Sequence, residues 1–368
     1  MQIGIIGGGL AGLVSGCLLA KAGHKVLLVE QKKYPFHRVC GEYISNEVKD
    51  FLVRHDLFPT ALDYSNITQF KLTSIAGRVL EMPLDLGGFG ISRYKLDFFL
   101  VEKLKSLGGE IRHDRVIGCG LSQDKMRMQL KSDEELHFDF VLGAFGKRSA
   151  LDKELKRSFL RKKSPYIGVK YHIETDLIAN NIVELHNFQG GYCGVNKVEE
   201  DRFNLCYLAN RSSMNSCKNI GEMEENVLFR NPHLRRIFEG SEFIFKKPEV
   251  IHEITFEEKE PVHNHILMIG DAAGMITPLC GNGMAIAINA ARMAADLLIK
   301  SEGMGDRSSV ERQYEKNWKQ AFSGRLSAGR TIQKLFGGRL ASEFAVTLGN
   351  TFRPVAGYLM KQTHGTPF

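Results

Sequence analysis

The stretch Ile3–Glu30, IGIIGGGLAGLVSGCLLAKAGHKVLLVE, constrains this chain more than any other. A short apolar run, Ile3–Ile6, leads into Gly7-Gly8-Gly9-Leu10-Ala11-Gly12 and then into an Ala- and Leu-rich segment of helical character. A second apolar run, Lys25–Val29, ends on Glu30. The order strand, glycine turn, helix, strand gives a GxGxxG match its physical meaning. Gly7 permits the tight turn, Gly9 lets the backbone approach a pyrophosphate, and Gly12 lets helix and strand pack closely. Leu10 and Ala11 open the helix, whose free N–H groups and dipole favour an anion. Glu30 is placed to accept from ribose hydroxyls. The stretch predicts a dinucleotide site.

A second strand–turn–helix pattern bears on which dinucleotide. Residues 266–299 read ILMIGDAAGMITPLCGNGMAIAINAARMAADLLI. Gly270-Asp271 ends the apolar strand, and an Asp there can hold a ribityl hydroxyl, a group that NAD lacks. After Pro278, the turn Gly281-Asn282-Gly283 opens a long helix. Its N–H groups favour the negative charge that a reduced flavin carries on its N1–C2=O edge. A mere tight connection is the bland alternative. Two matched glycine turns favour FAD.

With these motifs the chain resembles the glutathione-reductase-type FAD superfamily, in the branch of geranylgeranyl reductases and aromatic-ring hydroxylases. The match consists of Gly7, Gly9 and Gly12 with Glu30, of GDAAG at 270–274, and of PxxGxGxxxA from Pro278 to Ala287. The segment Arg38-Val39-Cys40-Gly41-Glu42-Tyr43-Ile44-Ser45 is similar to the CGGGxS-like segment of geranylgeranyl reductases, from which Glu42 and Tyr43 depart. The resemblance implies that Glu30 meets the AMP ribose and that Arg38 and Arg93 contact FAD. It also assigns Val116 to the cofactor site, and Gly270, Asp271, Pro278, Gly281, Asn282 and Gly283 to the ribityl and flavin end. The implied fold is α/β, with a discontinuous Rossmann-type FAD-binding domain over residues 1–65, 93–160 and 256–305. A β-sheet substrate domain (66–92 and 161–255) is interleaved with it, and helices close the chain over 306–368.

One segment departs from the pattern. The hydroxylases carry GADGxxS at a strand end, and its Asp serves both FAD and NAD(P)H. Residues 143–149 here read Gly-Ala-Phe-Gly-Lys-Arg-Ser, and Phe145 is expected to pack in the core. No second GxGxxG occurs, so the implied reductant NAD(P)H would dock transiently.

Charged residues at 25% and hydrophobic ones at 43% describe a globular chain, and 368 residues allow two domains. Met1 stands one residue before the first strand, so no signal peptide is expected. No apolar run reaches the length of about eighteen residues that a bilayer span needs. Asn289, Arg292 and Asp296 interrupt the longest candidate helix and share one of its faces. The seven cysteines show no CxxC spacing, which fits a reducing compartment and predicts a cytoplasmic protein. Net charge is +7, with clusters at Lys153–Lys163 and at Arg325, Arg330, Lys334 and Arg339. Such a face is a candidate contact for phosphorylated lipid, an acyl carrier protein or an anionic membrane surface, and the commoner outcome is solvated surface. No nucleic-acid motif accompanies the charge.

The regular elements follow the same patterns. Arg93 is expected to begin a helix closed by Gly108-Gly109. Strands are expected near Glu110–Ile117, Arg127–Leu130 and Phe138–Ala144, completing the nucleotide domain's sheet. Tyr166–Ile173, Ile182–Phe188 and Phe203–Leu208 alternate as strands do, and helices resume from about Val310.

A flavin carries the hydride or oxygen chemistry, leaving the protein to position, exclude water and supply protons. Cys40, Glu42 and Tyr43 lie in the loop expected near the flavin ring. Cys40 is read as a wall of the active site or a small apolar filler. Glu42 is read as a proton donor if apolar walls raise its pKa, or as a partner of Arg38. Tyr192, in Gly190–Gly194, walls the pocket, donates a proton or packs in the core. Cys280 is expected close to the flavin edge. His263-Asn264-His265 lacks further metal ligands at the right spacing, so no metal is assigned. The leading function is an NAD(P)H-driven FAD reductase of C=C bonds in an apolar, isoprenoid- or acyl-like substrate. The runner-up is a flavin monooxygenase. A halogenase ranks lower because its WxWxIP segment cannot form with Trp318 as the sole tryptophan. A non-catalytic flavoprotein electron carrier is the alternative from a different class.

Overall fold

The computed structural model describes residues 1–368 apart from 163, 216, 278–280, 302–305, 334–335, 355 and 359–364. Gln2–Ile6 lies at the centre of a six-stranded sheet. Its spatial order is Val262–His263, Ile266–Met268, Phe140–Gly143, Gln2–Ile6, Lys25–Glu30 and Glu110–His113. All pairs but the first are parallel. Parallel strands covered on both faces read as continuous apolar runs, and Ile3 and Ile5 are fully buried. The Leu10–Lys21 helix is buried from Leu10 to Ala20 because the sheet, the Arg93–Ser106 helix and the Gly283–Lys300 helix surround it.

The strands expected to complete this sheet divide differently. The run over 110–117 breaks after His113, where the Asp114 carboxylate accepts from Arg115 N at 2.6 Å and from Ser132 Oγ at 2.6 Å. Such a local side-chain bond turns the chain. Val116–Ser122, Lys125–Leu130 and Glu135–Phe138 then form a separate antiparallel sheet, and only Phe140–Gly143 returns to the parallel one.

The second large sheet has nine strands. Along its main path lie Glu242–Phe243, Tyr166–Glu174, Arg202–Asn210, Gly191–Lys197, Ile182–Phe188, Ser65–Thr73, Val79–Gly90 and Tyr43–Ser45, with Glu249–Ile254 paired beside Tyr166–Glu174. Tyr43–Ser45, assigned by sequence to the nucleotide domain, thus hydrogen-bonds into this nine-stranded sheet, with Tyr43 opposite Gly90. The alternation is strict across the middle strands. Ile167, Val169, Cys193, Val195, Phe203 and Leu205 face a core closed by the short helices Ile220–Val227 and Pro232–Gly240. Gly168, Tyr192, Gly194, Cys206 and Leu208 face the other way, into a cavity.

Arg307–Gln333 and Arg339–Thr351 form the C-terminal helices. Val310, Tyr314, Trp318, Phe322 and Leu326 recur every fourth residue on the buried stripe of the first. Tyr314 donates to Met268 O at 2.7 Å. The second helix is tied across the Ser65–Gly90 hairpin, with Ser342 Oγ accepting from Ile75 N at 3.4 Å and Asn350 donating to Val79 O at 2.8 Å. No described helix is long and apolar enough to cross a membrane.

Candidate cofactor crevice and substrate cavity

Three glycines at the first turn have different reasons for being glycine. Gly7 has φ 99°, and a Cβ there would sit 2.5 Å from Ala144 O. A Cβ on Gly12 would sit 2.1 Å from Gly7 O. The chain's own packing demands both. At Gly9 the nearest non-neighbouring described atom to an added Cβ is Arg93 Nη2, 3.8 Å away. The space above Gly9 is filled by nothing in the described chain, and the Leu10–Lys21 helix has no side-chain cap on its N–H groups.

The second turn repeats this arrangement. The Gly283–Lys300 helix starts after Asn282 with no side-chain cap, and a Cβ on Gly283 would meet only Ile276 Cγ2, at 3.9 Å. Gly270 has φ 61°, and a Cβ there would lie 3.0 Å from Ala11 Cβ, so the two glycine turns adjoin. Two adjoining helix N-termini, each opened by an uncrowded glycine, fit the pyrophosphate and flavin ends of one dinucleotide. FAD would be held by Gly9, Leu10 and Ala11 at one end and by Asp271, Asn282 and Gly283 at the other. The Asp271 carboxylate makes no hydrogen bond among the described residues, which leaves it for a ribityl hydroxyl. Pro278 and Cys280 lie outside the described residues. Val116 is buried at the start of the three-stranded sheet, opposite Leu130.

Both arginines reach the first turn. Arg38 donates to Gly8 O at 3.0 Å and to Asp97 at 3.0 Å, while Arg93 grips Asp97 through Nε at 2.7 Å and Nη2 at 2.8 Å. Asp97 was missed in the sequence, although its spacing of four from Arg93 on a helix is the signal for such a pair. Glu30 was expected to serve the ribose. Its carboxylate already accepts from Gly8 N at 3.0 Å, Lys32 N at 3.0 Å and Arg38 at 3.2 Å, so a ribose hydroxyl would join an occupied network. Tyr34, also missed, donates to Gly8 O at 2.5 Å.

Glu42 requires a correction. It does not pair with Arg38. It is fully buried at φ 54°, and its carboxylate accepts from Lys170 Nζ at 2.5 Å and from Arg93 N at 2.8 Å. His172 Nε2 lies 2.7 Å from the other oxygen. Burial alone pushes the carboxyl pKa up, but Lys170 and His172 outweigh it and bring the value down to about 2. Glu42 is therefore an ionised anchor, unsuited to donate a proton. Its anchoring fixes the preceding Val39–Gly41 loop. Asn204 adds a bond to Gly41 O at 2.8 Å, and Lys147 adds one to Val39 O at 3.2 Å. Phe145 packs partly buried against the main core.

That loop is the wall between crevice and cavity. Val39, Cys40 and Gly41 line a cavity of ≈ 250 Å³ that also touches Gly281 and Lys147. From there it runs along the sheet past Tyr192, Cys206 and Leu185 to Phe336, Phe344 and Leu348 on the C-terminal helices. Cys40 and Tyr192 thus share one cavity, and Tyr192 packs its ring 5.7 Å from that of Phe336. The lining is mostly apolar, with Lys147 the one lysine or arginine in it among the described residues. Of the basic residues near the C-terminus, Arg325 pairs with buried Glu47 at 3.1 Å and Arg330 with Glu258 at 2.9 Å. Lys163 and Lys334 lie outside the described residues.

Comparison with known proteins agrees with this geometry. A family model described as an NAD(P)-binding Rossmann-like domain matches residues 5–70, and one described as squalene epoxidase matches residues 247–323. The digeranylgeranylglycerophospholipid reductase of Methanosarcina acetivorans is 24% identical, over 90% of this chain and 84% of the relative. The geranylgeranyl diphosphate reductase of Synechocystis sp. is 23% identical, over 91% of this chain and 85% of the relative. The structure of the flavin-dependent brominase Bmp2 superposes with a TM-score of 0.78 at 18% identity, covering 98% of this chain and 94% of that one. Fold and crevice define a flavin-binding protein of the Rossmann type. In sequence the chain is similar to FAD-dependent oxidoreductases named as geranylgeranyl reductases, and in fold to a flavin-dependent brominase.

Proposed function

We propose that this protein is an NAD(P)H-driven, FAD-dependent reductase of C=C bonds in an apolar, isoprenoid- or acyl-like substrate. The observation that carries the reading is the apolar cavity that begins at the Val39–Gly41 loop and Gly281 and extends to the C-terminal helices. A cavity with so few polar groups recognises length and apolar surface more than a pattern of hydrogen bonds. The relatives named as reductases of geranylgeranyl compounds support the same substrate class. FAD supplies the hydride when bound. The chain's own part is to exclude water, hold the substrate against the loop and give a proton. Cys40 and Tyr192, a thiol and a phenol, line the cavity, whereas Glu42 is ionised and buried behind the loop.

The squalene epoxidase match over 247–323 favours a second reading, oxygen insertion into an apolar substrate by the same fold. Product analysis with polyprenyl substrates, with and without O₂, separates the two. The reductase yields a product richer by two hydrogens in either atmosphere. A product that gains oxygen and forms only in air overturns the reductase reading in favour of the monooxygenase.

A further inference from the structure

Among the described residues, a buried lysine behind the crevice has no ion pair. Lys259 lies between the strands Glu249–Ile254 and Val262–His263 and is 7% exposed. Its ammonium donates to Lys147 O at 2.7 Å and to Asp271 O at 2.8 Å, and it stands 4.5 Å from the centre of the Phe159 ring. No carboxylate lies within 4.0 Å of it among the described residues. Arg157, its buried neighbour, braces the same turn through Ala272 O at 2.8 Å, but that charge is matched by buried Asp152 at 3.2 Å.

The contrast matters because burying a cation without a counter-charge is costly, while a neutral donor would bridge two carbonyls more cheaply. What Lys259 bridges also matters. Asp271 O belongs to the turn that would hold the ribityl chain. Lys147 O belongs to the turn whose own side chain holds the Val39–Gly41 loop and touches the substrate cavity. One ammonium therefore joins the flavin end of the crevice to the wall of the cavity.

We propose that Lys259 is a positioning residue for FAD, holding the Asp271 and Lys147 turns in register, with its unmatched charge complemented by the bound anionic dinucleotide. The proposal rests on the FAD assignment and not on the substrate or the reaction. The groups around the ammonium are Asp271 on its turn, Asp152 and Arg157 beside the Phe159 ring, and Lys147. Burial lowers the lysine pKa to about 8, Asp271 and Asp152 oppose that, and Arg157 and Lys147 add to it. An anion that binds beside Lys259 raises its pKa, so binding is strongest where Lys259 is protonated and weakens as pH rises through about 8.

The test is FAD affinity of the flavin-free full-length protein, followed by flavin fluorescence across the pH range around that value, for wild type, Lys259→Met and Lys259→Arg. Wild type is expected to lose up to about tenfold in affinity per pH unit above the lysine pKa. Lys259→Arg, whose charge does not titrate here, is expected to bind with a flat profile. Lys259→Met is expected to bind at least about tenfold more weakly at neutral pH, as a lost charge-assisted contact predicts. Thermal melting of the flavin-free variants reports folding, and the wild-type profile alone keeps the test decisive if Lys259→Met does not fold. A flat wild-type profile, or Lys259→Met binding FAD like wild type, overturns the proposal. Failure of wild type to bind FAD at any pH would instead overturn the cofactor assignment.

Discussion

The candidate cofactor crevice and the apolar cavity meet at the Val39–Gly41 loop, yet they are built in opposite ways. The crevice is backbone: glycines, helix N-termini and carbonyls, with Arg38, Arg93 and Asp97 clamping the turn. The cavity is mostly side chains, contributed by strands from Tyr43 to Ile254 and by the C-terminal helices from Ile332 onward. Backbone sites tolerate no change where an atom must approach closely. A side-chain cavity can be refilled by other side chains of similar size without altering the fold. The first kind of region fixes which ligand can approach, and the second leaves the size and shape of its ligand open to change.

The sharpest way to break this comparison is the buried anchor between the two regions. Removing one partner of a buried ion pair strands the other, and Lys170→Met is expected to destabilise the protein by about 3–5 kcal/mol in chemical denaturation. The pH dependence follows from the same pair. The Glu42 pKa, about 2 when folded, lies below its ordinary value of 4.5. The stability that Glu42 contributes is therefore complete above the ordinary value and is lost as pH falls toward about 2. Acid unfolding of Glu42→Gln should lack that component, and an unchanged acid limb would show that the carboxylate is not ionised in the fold.

Glycine substitutions sharpen the contrast within the crevice itself. Gly12→Ala forces a Cβ against Gly7 O and should lower the melting temperature of the flavin-free protein. Gly9→Ala meets no such contact, so the flavin-free fold should keep its melting temperature while bound flavin is largely lost. Equal behaviour of the two variants would remove the argument that the space over Gly9 belongs to a ligand. On the cavity side, Gly194→Phe should leave flavin content unchanged and raise KM for long apolar substrates, because Gly194 lines the cavity and not the crevice. The smallest expected effect is at Asp271. Asp271→Ala removes one charge-assisted bond to the ribityl chain and should weaken FAD binding by about 1.5–3 kcal/mol.

How much of this was legible in the sequence follows the same division. Gly7, Gly9, Gly12, Gly270, Gly281 and Gly283 could be read because each sits in a short motif whose spacing encodes one turn and one helix start. The parallel sheet followed from the apolar runs beside them. The partners of Glu42 could not be read. Lys170 and His172 lie 128 and 130 positions away along the chain, and they meet Glu42 only because a strand of the nine-stranded sheet passes under the loop. Sequence spacing suggested Arg38 as the nearest cation, but Glu30 and Asp97 hold it on the other side of the turn. The break at Asp114 was missed because one side-chain bond, not a change in apolar pattern, redirects the strand. Lys259 carried no motif at all.

The proposed reaction passes hydride from the crevice to a C=C bond in the cavity without oxygen. It is tested most directly by reducing the purified flavoprotein with NAD(P)H under strict anaerobiosis, removing the nicotinamide, and mixing with a polyprenyl substrate while recording the flavin absorbance. The oxidised flavin spectrum is expected to return without O₂, in step with one saturated bond formed per flavin. A flavin that stays reduced until O₂ is admitted, and then yields an oxygenated product, would contradict it.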